Sequence, residues 1–222
     1  MVENVKIIQP EPMHSKYIKL SLIPQKMVSK HVYSELVNTI SEIINLHVKW
    51  SNFLPDTTKC TNKCFTHIYK VTIDNVLRSF QYRLLHRILF FNDKLYIFGI
   101  TNSDSCDLCN NDTDSIDHRM WTCPVIQTLW QKVILWYNGL FNSDITVTYI
   151  DVITNKSSYL LLDLIILCTK YYIYKSFVKK ENIKINSLID EILQLEQIEK
   201  EIAYRKSKIN YHVFKWRVLS TN

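Results

Sequence analysis

A chain of 222 residues with 47% hydrophobic and 22% charged residues has enough apolar surface to fold, which excludes a disordered protein and allows one or two domains. Only two glycines and five prolines occur, far below average usage of roughly 7% and 5%, so turn positions are scarce and a mainly α protein is expected. The formal net charge of +6 points modestly toward an acidic partner such as nucleic acid, because lysine and arginine release counterions from phosphates. The N-terminal run MVENVKIIQPEPM breaks its apolar residues with acids and prolines, so no secretory signal is expected. The longest apolar stretch, residues 159–174, contains Asp163 and Lys170 and falls short of the ~20 residues of a membrane span. An intracellular protein, cytoplasmic or nuclear and without a membrane partner, is the expectation, and there clustered cysteines favour metal over disulfides.

In chain order, residues 16–23 alternate between polar and apolar among Pro10, Pro12 and Pro24 and read as an edge strand or extended arm. Val32, Leu36, Ile40, Ile43, Ile44 and Val48 recur at helical spacing over 29–50, and a connector over 51–72 follows. Asp74 opens the clearest helix, predicted over 74–90, with Leu77, Phe80, Leu84 and Ile88 on one stripe and Ser79, Arg83 and Arg87 on another. After a turn at Asn92 and Asp93, a short helix over 94–98 is stopped by Gly99. Ser115 caps a short helix through Trp121. Pro124 then opens a helix whose Val125, Leu129, Val133 and Trp136 make it amphipathic up to Gly139. Two helices remain, an apolar and tyrosine-rich one over 157–178 and a long one over 186–216. Ile185, Leu188, Ile192, Leu195, Ile198 and Ile202 give the second an irregular heptad stripe, suited to a helical hairpin or to self-association.

The most specific chemical signal is the spacing C-x2-C-x8-H-x4-C at Cys106, Cys109, His118 and Cys123. Zinc takes thiolate and imidazole ligands in a closed tetrahedral shell where its role is structural, and a C-x2-C pair supplies two sulfurs from one turn. Asn110, Asn111 and Asp112 suit the backbone of such a knuckle. His118 and Cys123, at the two ends of the short capped helix, complete the set. All four positions are protein ligands, which leaves no place for a catalytic water and predicts one structural zinc ion. Cys60, Cys64 and His67 form C-x3-C-x2-H but lack a nearby fourth ligand and sit among threonine and lysine residues that read as loop, so a second metal there stays open. Cys168, in an apolar run, reads as core.

Two stretches carry candidate nucleic-acid contacts. In LRSFQYRLLHRIL, Arg78, Arg83, His86 and Arg87 alternate with Phe80, Gln81 and Tyr82, a pairing that can hold phosphates and stack on bases or simply cover core edges from a solvated face. Residues 200–217 bring Lys200, Arg205, Lys206, Lys208, Lys215 and Arg217 together with Tyr204, Tyr211, Phe214 and Trp216. Catalytic motifs are missing. There is no P-loop, dinucleotide fingerprint, H-E-x-x-H or G-x-S-x-G element. The order of cysteines and histidine is wrong for a zinc deaminase.

The segments FQYRLLHRIL, LYIFGITNSDSCDLCNNDTDSIDHRMWTCPVIQTLW, LIILCTKYYIYKS and KEIAYRKSK together closely resemble the C-terminal, zinc-binding end of the polyprotein of LINE-type non-LTR retrotransposons. The resemblance covers residues 65–216, with 78–130 its specific part. It places the family's ligands at Cys106, Cys109, His118 and Cys123 and its aromatic marks at Trp121 and Trp130. Where the family usually has a hydrophobic pair after the histidine, this chain has Arg119 and Met120. The resemblance implies an N-terminal arm and helix left from the upstream polyprotein over 1–64, a reverse transcriptase zinc-binding domain over 65–140 and a C-terminal helical region over 141–222. It also implies a helical domain with an embedded CCHC knuckle that binds element RNA or target DNA during target-primed reverse transcription. No Y-A-D-D-like carboxylate motif or endonuclease segment is present, so neither polymerase nor nuclease chemistry of its own is expected, and no small-molecule substrate. The alternatives are a helical protein-interaction domain stapled by zinc, or an inactive element remnant.

Overall fold

A computed structural model describes residues 62–157 and 159–216. The expected strand over 16–23 and helix over 29–50 lie outside the described residues. The described part is helical, as its scarcity of glycine and proline predicts, and within it the only ladder pairing is an isolated antiparallel bridge between Ser105 and Thr113. Eight α-helices and one π-helical turn make it up: α1 Asn62–Val71, α2 Asn75–Leu85, α3 Asn92–Ile97, the π-turn His118–Thr122, α4 Pro124–Phe141, α5 Tyr149–Thr154, α6 Leu160–Lys179, α7 Ile185–Arg205 and α8 Ile209–Trp216.

The centre is α6. Residues 161–167 are buried without a break, so this helix is apolar all round rather than along one stripe, which is the pattern of a helix enclosed by others. It packs against α1, α2, α5, α7, α8 and the π-turn. Cys168, expected in the core, is only partly buried at its edge.

Several boundaries differ from the sequence pattern. The stretch read as a connector over 51–72 contains α1, which turns Ile68 and Val71 into the core. Asp74 caps α2 as expected, its Oδ1 accepting from the Val76 N–H at 2.6 Å. The predicted continuation to residue 90 fails, because Arg87 adopts a left-handed conformation at φ 54° and the Ile88 N–H reaches back to the Arg83 carbonyl at 3.0 Å. That end motif redirects the chain so that Leu89 and Phe91 enter the core. Gly99, at φ 68°, stops α3 as predicted.

Helix α4 runs past Gly139 to Phe141 and ends at Asn142 in the left-handed region, since asparagine tolerates that conformation. Between the two predicted helices an extra one, α5, is set up by a capping box of Thr148 and Asp151. The long helix over 186–216 is in fact two. It breaks at Ser207, φ 54°, and α8 folds back on α7, where Lys215 Nζ and Trp216 Nε1 donate to Glu199 Oε2 at 2.7 and 2.9 Å. Most of the heptad stripe is turned inward: Leu188 and Ile192 are buried and Ile185 and Leu195 pack on the core, while Ile198 stays 57% exposed.

Candidate metal centre

The knuckle forms between α3 and the π-turn. The Ser105–Thr113 bridge closes its neck, the Cys106 N–H donates to the Asp112 carbonyl at 2.8 Å and the Asn110 N–H to the Cys106 carbonyl at 2.8 Å. Asn110 takes φ 57°, the geometry for which the polar run after the C-x2-C pair is suited. On the other side the Ser115 hydroxyl accepts from the His118 N–H at 3.2 Å, the capping bond predicted from sequence. The helix it opens then widens. The Cys123 N–H donates to the His118 carbonyl at 2.9 Å, five residues back, so the turn is π rather than α.

These two pieces bring Cys106, Cys109, His118 and Cys123 together with all ligand atoms within 4.8 Å of one another. Cys106 Sγ lies 4.0 Å from Cys123 Sγ, and Cys109 Sγ lies 3.3 Å from His118 Nε2. Tetrahedral zinc with Zn–S near 2.3 Å and Zn–N near 2.0–2.1 Å separates sulfurs by about 3.8 Å and sulfur from nitrogen by about 3.6 Å, so the four residues fit that ion. Cys106 and Cys123 are fully buried, and burial pushes the Cys106 thiol up to about 12. Backbone N–H groups of Asn111 and Asp112 pull the Cys109 thiol the other way. A bound divalent cation is what would hold such a buried thiol as thiolate. His118 Nδ1 lies 3.3 Å from the Thr122 hydroxyl, a partner that fixes the ring with Nε2 toward the sulfurs.

Behind the ligands stands Arg119, 1% exposed, at one of the two positions that depart from the resembled pattern. Its Nε and Nη2 donate to both oxygens of buried Asp114 at 2.7 and 2.6 Å, and Nη2 also reaches Asp107 between the two knuckle cysteines. Burial works against the guanidinium charge, but the two carboxylates outweigh it and hold Arg119 above its ordinary value. The cation also lies over the Phe177 ring at 4.9 Å, which joins the knuckle to α6. Met120 is fully buried, and its carbonyl accepts from Trp130 Nε1 at 2.9 Å.

Candidate nucleic-acid residues do not share one surface. Arg87 is engaged by Asp117, its Nη1 and Nη2 at 2.9 and 2.5 Å from the two oxygens, and Tyr149 also donates to that carboxylate. Arg83 lies over the Tyr174 ring at 5.6 Å, and His86 is buried against Phe65 and Tyr82. Arg78 covers the Tyr69 ring at 4.8 Å. Arg205 pairs with Glu201 one turn away at 2.7 Å, while Lys206 and Lys208 are exposed. Lys215 and Trp216, read as part of a basic surface, point inward to Glu199 instead. His67 Nε2 pairs with Asp163 Oδ2 at 2.6 Å; Cys60 and the side chain of Cys64 lie outside the described residues. Sequence reasoning missed Arg119, Asp114, Asp117 and Tyr149. The acids scattered between the ligands were the available signal, but neither periodicity nor spacing says which cation each one meets.

Residues 29–130 match the family described as zinc-binding in reverse transcriptase, a span that includes all four ligands and ends at Trp130. No curated protein and no solved structure matches the chain.

Proposed function

Starting from a reverse transcriptase zinc-binding region, we propose that this chain is a zinc-dependent nucleic-acid-binding module of a LINE-type retroelement polyprotein, acting inside the cell and without polymerase or nuclease chemistry of its own. The observation that carries the reading is the largely buried Cys3His tetrad, because its ion would tie the knuckle loop to the π-turn and leave no open coordination position for catalysis. A net charge of +6 and exposed lysines beside aromatic residues supply the chemistry for phosphate and base. Zinc acts here through the fold. Arg119 and Met120 sit between the ligands His118 and Cys123, so the order of the tetrad sets the order of the contacts to α6 and α4.

The test is fluorescence anisotropy with single-stranded RNA and with duplex DNA, using zinc-loaded and chelated protein at low and high salt. Binding that weakens with salt and is lost on chelation is the expected result. A folded, zinc-loaded protein that binds neither probe would leave the interaction-domain reading in its place.

A further inference from the structure

Part of the second basic stretch meets residues of α1 at one cleft of about 460 Å3 between α1 and the corner joining α7 to α8. We propose that this cleft seats a single-stranded nucleic acid, with a base against its tyrosines and the backbone along its lysines. This rests on the nucleic-acid reading above and gives it a site. Tyr69 and Lys70 come from α1, and Lys206, Lys208 and Tyr211 from the corner. Arg78 extends the rim from α2, its guanidinium over Tyr69 and its Nε held by the Thr72 carbonyl at 2.8 Å.

Three observations favour this occupant. Tyr69 is 66% and Tyr211 53% exposed, so both offer ring surface on which a base can stack. Among the described residues the one acid lining the cleft, Glu199, is already paired with Lys215 at 2.7 Å, which leaves the rim cationic. The volume falls in the range of about 300–1,000 Å3 typical of small-ligand clefts, which leaves room for a splayed-out base.

The full-length, zinc-loaded protein is titrated into a fluorescein-labelled oligouridylate over a series of salt concentrations, beside the same strand annealed to its complement. Each single-strand phosphate contact contributes about 0.7 to the slope of log affinity on log salt, so K206A/K208A is expected to lower that slope by about 1.4. Y69A/Y211A is expected to weaken binding roughly 10-fold or more with little change of slope. All four side chains are exposed, so the fold is not at stake. Wild-type binding that both double variants retain would overturn the cleft and leave the nucleic-acid reading standing. So would an equal loss in K132A, an exposed lysine of α4 outside the lining. Duplex bound as tightly as the single strand would overturn the single-strand assignment, and no binding by the folded wild type would overturn both readings.

Discussion

Arg119 shows how much a single side chain can organise. Its guanidinium neutralises Asp114, which has no exposure at all, reaches Asp107 inside the knuckle and stacks over Phe177 of α6. Arg119→Met keeps the apolar stem but strands a buried carboxylate. A loss of about 3–5 kcal/mol is expected in chemical denaturation. Lysine at this position would restore charge without the planar fork that meets both Asp114 oxygens, and should recover only part of the loss. The four ligands were legible in the sequence because zinc chemistry restricts residue type and spacing together. Arg119 was not, since a buried arginine in a short helical turn has the same local pattern as a solvated one.

At the scale of elements, the end of α2 and the start of the π-turn are joined by Arg87 and Asp117, with Tyr149 of α5 donating to the same carboxylate. Burial and the nearby Asp117 charge together push the Tyr149 hydroxyl above its usual value, so it stays protonated as a donor. Asp117→Asn retains shape but gives up charge-assisted bonds, and a loss of about 1–3 kcal/mol is expected from thermal unfolding of the zinc-loaded protein. Helix starts were well marked by Asp74, Ser115 and Pro124, because a cap or a proline at the first turn is a local device. Helix ends were poorly marked. Arg87, Asn142 and Ser207 all take positive φ without being glycine, and with only two glycines in the chain the usual stop signal was seldom available. For the same reason α7 and α8 read as one helix.

For the molecule as a whole, Lys170 on α6 is a cost carried at the centre. It is fully buried, donating at 2.6 Å to Gln81 Oε1 and at 2.6 Å to the Val152 carbonyl, and burial holds it well below its ordinary value despite Asp163. The unfolded chain therefore binds a proton that the folded chain lacks between that depressed value and the ordinary 10.5. Stability should rise with pH across this window, by at most about 1.4 kcal/mol per pH unit. In Lys170→Met this rise below the ordinary value should flatten, as read by denaturant midpoints. A flat wild-type profile would mean that the lysine keeps its proton inside the fold. The π-turn also reaches beyond its own neighbourhood. Cys123 closes that wide turn and is at once the cap of α4, so deleting one residue from His118–Thr122 would rotate all that follows by about 100° about the helix axis. The cysteine would leave the tetrad while Ile126, Leu129, Trp130 and Val133 swung away from the core in the same stroke. The four-residue gap between histidine and cysteine is thus a phase lock between metal and fold, and it should resist insertion and deletion even where a substitution within it is tolerated.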